Sequence, residues 1–91
     1  MILAIDIGNT NIVLGCVDDN KTYLIERLST IKTKMELEYA IDIKMVLDIH
    51  GIKPEKLEGA IISSVVPQIT YVVKEAAEKI LKKETLVIGP G

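Results

Sequence analysis

The sequence predicts an α/β domain built on one mixed five-stranded sheet, with its elements in the order β-β-β-α-β-α-β. Two observations lead to this prediction. Short runs rich in Ile, Val and Leu alternate with segments whose apolar residues recur at helical spacing. The links between the first three runs are too short for a parallel crossover, whereas a helix precedes each later strand. The expected strand order is therefore 3-2-1-4-5, with the first strand in the centre.

The first three strands are predicted to form an antiparallel meander. Residues 2–7 and 11–18 are apolar runs joined by the short polar link of residues 8–10, which suits a hairpin. Residues 18–21 have the composition of a second turn. The third strand, residues 22–29, carries charged residues, and this favours an outer position in the sheet.

A helix is predicted over residues 34–50, where the hydrophobic period changes from two to about 3.6. Gly51 is well placed to end this helix. The expected buried face consists of Ala40, Ile43, Val46, Leu47 and His50. We assign no function to His50, because a lone histidine at a helix end is more often a capping or core residue than a base.

The rest of the chain predicts two more strands and a second helix. Residues 58–63 form a continuous apolar run, typical of a central parallel strand covered on both faces. Pro67 is expected in the first turn of the second helix, and residues 85–88 in the last strand. The buried stripe of that helix would comprise Ile69, Val73, Ala76 and Ile80. Two helices leave one face of the sheet poorly covered, and a Gly-Pro-Gly turn follows residue 88, so we expect the front part of a longer protein.

Composition limits the functional classes that the chain can belong to. Its 91 residues suffice for one small domain, and a net charge of −2 with interspersed Lys and Glu argues against nucleic-acid or anionic-membrane partners. The single cysteine, Cys16, has no partner for an internal disulfide, which favours a reducing, cytoplasmic setting. There is no basic N-terminal region of a signal peptide, and no apolar run approaches the roughly 18 residues of a membrane span.

The stretch AIDIGNTNIVLG, residues 4–15, contains the strongest functional signal. Gly8 allows close approach of a ligand, and successive amides in such a turn can bind an anion. Thr10, Asn9 and Asn11 add side-chain donors. A carboxylate such as Asp6 is suited to holding Mg²⁺ that bridges phosphate oxygens. The pattern therefore predicts a site for a metal-bound polyphosphate, and the alternative is an ordinary structural turn.

The motif DIGNTNIVLG resembles the first phosphate motif of the acetate kinase, sugar kinase, Hsc70 and actin superfamily. Together with ISSVVPQIT and VIGPG at their distances, it resembles type III pantothenate kinase over essentially all 91 residues. The resemblance implies a ribonuclease-H-like (actin-like ATPase) fold, with residues 1–91 as the N-terminal domain and the second domain absent. It also implies transfer of the γ-phosphoryl group of ATP to pantothenate, with Mg²⁺ and a monovalent cation (K⁺ or NH₄⁺), by a homodimer.

The resemblance assigns site residues position by position. Asp6 would take the metal and phosphate position. The ATP phosphate loop would comprise Ile7, Gly8, Asn9, Thr10, Asn11, Ile12 and Val13. The general base of the family, an aspartate in a Gly-x-Asp-Arg context, has no counterpart in these 91 residues. We expect it beyond residue 91, together with the adenine pocket and the monovalent-cation site.

Several alternatives stay open at this point. Ser63 and Ser64 either line the substrate side of the cleft or make local hydrogen bonds at the start of the second helix. Residues 89–91 either begin a substrate loop or form a turn. The alternative functions are a non-catalytic Baf-type transcriptional accessory factor and another sugar kinase or cytoskeletal ATPase of the superfamily. The SSVVP segment favours the pantothenate kinase, and the charge argues against direct DNA contact.

Overall fold

The computed structural model describes residues 1–89 and confirms the predicted order of elements. The strands are β1 (Ile2–Ile7), β2 (Asn11–Asp18), β3 (Lys21–Ser29), β4 (Ala60–Ser64) and β5 (Thr85–Ile88). The helices are α1 (Glu36–Ile49) and α2 (Pro67–Leu81), and a short helical turn spans Pro54–Lys56. All five strands form one sheet in the order β3-β2-β1-β4-β5, as predicted.

Strand β1 lies in the centre of this sheet. It pairs antiparallel with β2 and parallel with β4, and β4 in turn pairs parallel with β5. The register places Asp6 of β1 between Val13 of β2 and Ser63 of β4. Because paired residues share a face of the sheet, these three side chains stand on the same side, near the carboxyl ends of β1 and β4.

Both helices pack on one face of the sheet, which we call the covered face. Its core includes Leu3, Ile5 and Ile7 of β1, all nearly or fully buried against apolar residues of α1 and α2. The other face, which we call the open face, has no helix among residues 1–89. The sequence-based expectation of a poorly covered sheet face is confirmed.

The expectation that β4 is covered on both faces is wrong. Ile62 is fully buried on the covered face, whereas Ile61 is only partly buried and Ser63 is exposed on the open face. A continuous apolar run indicated two covered faces because it cannot distinguish a strand buried on both faces from a strand buried on one face.

Helix α1 spans Glu36–Ile49, which is shorter than the predicted 34–50, and the left-handed Gly51 (φ +69°) follows its C-cap as expected for a helix stop. The expected buried face is confirmed except at His50, which lies just beyond the helix with an exposed side chain. Its Nε2 lies 3.4 Å from Glu26 Oε2 on β3. The 3.6-residue period fails at this position because the chain has already left the helix.

Helix α2 starts at Pro67 and packs against β4, β5 and α1. Ile69, Val73 and Ala76 are buried as predicted, but Ile80 is only partly buried. The helix also buries Thr70, Ala77 and Leu81, which the predicted stripe omitted. The stripe is therefore wider than one residue per turn, as a helix packed against both a sheet and another helix requires.

The side chain of Glu78 connects α2 to the edge strand β5. Its Oε2 accepts hydrogen bonds from the Thr85 backbone N–H and from Lys74 Nζ, both at 2.9 Å. These two donors hold the pKa of the Glu78 carboxyl below its usual value. The contact supplies β5 with a hydrogen bond that the sheet itself does not provide.

Two further structural facts bear on the composition-based expectations. Cys16 is buried in the core, and burial raises the pKa of its thiol, as expected for a small strand residue rather than a reactive one. Neither helix within residues 1–89 has the length and apolar character needed to cross a membrane.

Candidate functional site

The β1–β2 turn, residues 8–10, lies at the edge of the sheet where β1 and β4 end. In open α/β sheets this edge is where ligands bind. Asn9 and Thr10 are exposed and Gly8 is half-buried. A Cβ on Gly8 would lie 3.2 Å from the Asn11 carbonyl oxygen, so the close turn favours glycine at this position.

The predicted site residues differ in exposure, and Gly8 and Val13 are half-buried. Asp6, Asn9, Thr10 and Asn11 are exposed. Ile7 and Ile12 are buried on the covered face, where they pack in the core. Their side chains cannot meet a ligand, so a role for these two residues is restricted to their backbone.

The backbone of the turn is held by Thr30, the residue that follows β3. The Thr30 N–H donates to the Thr10 carbonyl (2.9 Å), and Thr30 Oγ1 donates to the Gly8 carbonyl (2.7 Å). Gly8 N–H donates to the Asn11 carbonyl (2.9 Å). Within residues 1–89 the backbone N–H groups of Asn9 and Thr10 have no acceptor. Two exposed free amides in one turn form an arrangement that can bind phosphate oxygens.

Thr30 was not identified by the sequence analysis. Its role arises from the pairing of β2 with β3, which sets Asn11 opposite Ser29 and so brings the next residue beside the turn. The available signal was the antiparallel meander itself, because such a meander places the end of the third strand next to the start of the second. No local motif around Thr30 marks it.

Asp6 lies on the open face beside Ser63 and Val13. All three line a shallow concavity of about 390 Å³, whose other walls are mainly apolar, including Ile61 and Ile88. The Asp6 side chain is exposed rather than buried in the core, so the cost of placing a carboxylate on the central strand is small here.

The two adjacent serines of β4 have different environments. Ser64 Oγ accepts hydrogen bonds from the Val66 N–H (3.0 Å) and from Thr70 Oγ1 (2.9 Å), so it makes the local contacts expected at the start of α2. Ser63 points to the open face and stands next to Asp6 in the register. Local bonding, the second of the two alternatives raised for this pair, therefore applies to Ser64. A place for Ser63 on the substrate side stays a prediction.

The donor set suits Mg²⁺ better than a transition metal. Residues 1–89 contain no group of three or more His, Cys, Asp or Glu side chains that could hold a metal ion. The oxygen groups that lie side by side here are the Asp6 carboxylate and the Ser63 hydroxyl. Mg²⁺ commonly keeps several waters and is bound by one or two carboxylates plus phosphate oxygens, so a single carboxylate beside a turn with free backbone N–H groups fits this ion.

A larger concavity, of about 750 Å³, lies at the opposite end of the domain, between the C-terminal ends of α1 and α2. Two of its lysines are committed to the protein: Lys44 pairs with Asp48 (2.6 Å), and Lys83 donates to backbone carbonyls. It contains none of the predicted site residues. Of the predicted substrate loop at 89–91, Pro90 and Gly91 lie outside the described residues, and that interpretation stays a prediction.

Comparison with known proteins adds a family and a fold. The family model described as type III pantothenate kinase matches residues 2–91. A type III pantothenate kinase of Exiguobacterium sp. strain AT1b is 40% identical over 91 residues, which are 100% of this chain and 36% of the relative. Among solved structures, T. thermophilus RuvC in complex with Holliday junction substrate matches with a TM-score of 0.56 at 20% identity. That match covers 98% of this chain and 64% of RuvC, and it supports the ribonuclease-H-like fold alone.

Proposed function

Because the chain belongs to the type III pantothenate kinase family, we propose that it is the ATP-phosphate-binding N-terminal part of a pantothenate kinase. The observation that carries the proposal is the β1–β2 turn, whose two free amides lie at the carboxyl end of the strand that bears Asp6. The chain spans 36% of the length of the curated relative. The proposal therefore assigns phosphate binding to this chain and the remaining steps to residues beyond it.

In the proposed complex, the backbone N–H groups of Asn9 and Thr10 donate hydrogen bonds to phosphate oxygens of ATP. The side chains of Thr10 and Asn11 add donors, and Val13 lies along the same side of the sheet. Asp6 would hold Mg²⁺, which supplies neutralisation of the charge on the polyphosphate. The chain thus binds and orients the phosphoryl donor, the part of phosphoryl transfer that depends on positioning and electrostatics.

The remaining parts of the enzyme complete this proposal. The general base for the pantothenate hydroxyl, the adenine pocket and the site for K⁺ or NH₄⁺ would lie beyond residue 91, in a second domain. We further propose a cytoplasmic homodimer without nucleic-acid or membrane partners. The net charge of −2 supports the absence of a nucleic-acid partner. The likeness to RuvC at 20% identity concerns the fold and brings no such partner.

The proposal is tested by replacing the carboxylate that would hold the metal. In the intact protein, we expect Asp6→Asn to weaken Mg·ATP binding about 10- to 100-fold, because a charged interaction is lost. Isothermal titration calorimetry with Mg·ATP measures this change, and a pantothenate phosphorylation assay of the unmodified protein accompanies it. Asp19→Asn is the matched control, since Asp19 is an exposed acid in the β2–β3 turn. Unchanged affinity in Asp6→Asn would refute the site.

A further inference from the structure

Thr30 determines the direction of one amide in the β1–β2 turn. Its Oγ1 donates a hydrogen bond of 2.7 Å to the Gly8 carbonyl, which belongs to the same peptide unit as the Asn9 N–H. None of the peptide bonds within residues 1–89 is cis, so this carbonyl and this N–H point in opposite directions. The Thr30 hydroxyl therefore holds the Asn9 backbone N–H pointing away from Thr30, and this N–H finds no acceptor among the described residues.

Thr30 also fixes the far side of the turn. Its own N–H donates to the Thr10 carbonyl at 2.9 Å. One residue thus binds the turn at both of its ends, and the Gly8 and Thr10 carbonyls both point toward Thr30. Removing carbonyl oxygens from the ligand side matters, because a carbonyl beside an anion repels it.

Thr30 is in turn held in place from α1. The next residue, Ile31, donates its N–H to Tyr39 Oη (3.0 Å), and Tyr39 Oη donates to the Ile31 carbonyl (2.6 Å). Tyr39 is 1% exposed and packs in the core. Because Thr30 lies beyond the end of β3, this pair of bonds supplies support that the sheet does not provide there.

We propose that Thr30 is a positioning residue for phosphate binding. It orients the backbone N–H of Asn9 toward a nucleotide phosphate group, and Tyr39 holds Thr30 in position. The inference rests on the proposed function, because it takes the β1–β2 turn as the phosphate site. It assigns a role to two residues outside the DIGNTN motif.

The test is Thr30→Val in the intact protein, which keeps the side-chain shape and the backbone N–H but removes the hydroxyl. We expect Mg·ATP affinity to fall about 2- to 12-fold, the loss of one hydrogen bond. Affinity for adenosine, which has no phosphate, is expected to stay unchanged, and Thr30→Ser is expected to restore ATP binding. Thr85→Val is the matched control, since this buried threonine on β5 lies outside the site.

Tyr39→Phe is a second variant that leaves Thr30 intact and removes only the supporting hydroxyl. We expect a smaller loss of ATP affinity, again without a loss for adenosine. Wild-type ATP affinity in Thr30→Val, or an equal fall for ATP and adenosine, would overturn the inference. If Asp6→Asn loses affinity while Thr30→Val does not, only this inference fails. If neither variant loses affinity, the proposed phosphate site fails as well.

Discussion

The two faces of the sheet are built by the same strands but differ in burial and in the side chains they carry. On the covered face, Leu3, Ile5 and Ile62 are buried against two helices. On the open face, Asp6 and Ser63 are exposed beside a shallow concavity. Because strand residues alternate between faces, one residue can stabilise the domain while its neighbour faces a ligand. This separation allows the open face to carry polar groups without weakening the core.

The largest expected contrast between the faces is in stability. We expect Ile62→Ala to lower the free energy of unfolding by about 2–5 kcal/mol, because it leaves a cavity in the core. Ile61→Ala, one residue away on the open face, is expected to cost about 1 kcal/mol or less. Urea unfolding of both variants measures the difference. Equal losses would mean that the open face is covered as tightly as the other.

The adjacent serines of β4 sharpen the comparison. We expect Ser64→Ala to destabilise the protein by about 1–3 kcal/mol, since the Val66 N–H loses its acceptor, and to leave Mg·ATP affinity unchanged. Ser63→Ala is expected to do the reverse: unchanged thermal stability and weaker Mg·ATP binding. Thermal unfolding and calorimetric titration of both variants test this. A shared effect on either property would contradict the division between the faces.

The smallest expected effect concerns Thr85 of β5, which is compared with Thr70 of α2; both threonines are buried. Thr85 Oγ1 is buried and has no hydrogen-bond partner within residues 1–89, so Thr85→Val is expected to leave stability unchanged or raise it by up to about 1 kcal/mol. Thr70→Val is the matched comparison, because the Thr70 hydroxyl bonds to Ser64 and Val66 and its loss is expected to destabilise. A clear loss of stability in Thr85→Val would indicate a partner for its hydroxyl.

Much of the fold could be predicted because its signals are local. The change of hydrophobic period separates strands from helices, and the short link at residues 8–10 specifies a hairpin. Pro67 and Gly51 mark helix ends for reasons of backbone geometry that hold in any context. Strand order then followed from connection lengths and handedness rules.

The errors and omissions involve contacts between distant parts of the chain. His50 was placed in the core because its spacing continued the helix, but the chain turns away after residue 49. Thr30 reaches the β1–β2 turn only through the register of β2 with β3. The second face of β4 was wrongly expected to be covered, because an apolar run does not show what packs against each face of a strand. The predicted roles of Asp6 and the residues that follow it stay predictions until ligand binding is measured.

The central position of β1 has a consequence for the order in which the protein can assemble on the ribosome. Leu3 pairs with Cys16 on one side and with Ala60 on the other, so one neighbour of β1 is synthesised soon and the other much later. Until β4 emerges, the strand that carries Asp6 has an unsatisfied edge of backbone donors and acceptors. Such an edge can pair with other chains. Until translation reaches β4, the nascent meander is therefore open to pairing with another copy of itself.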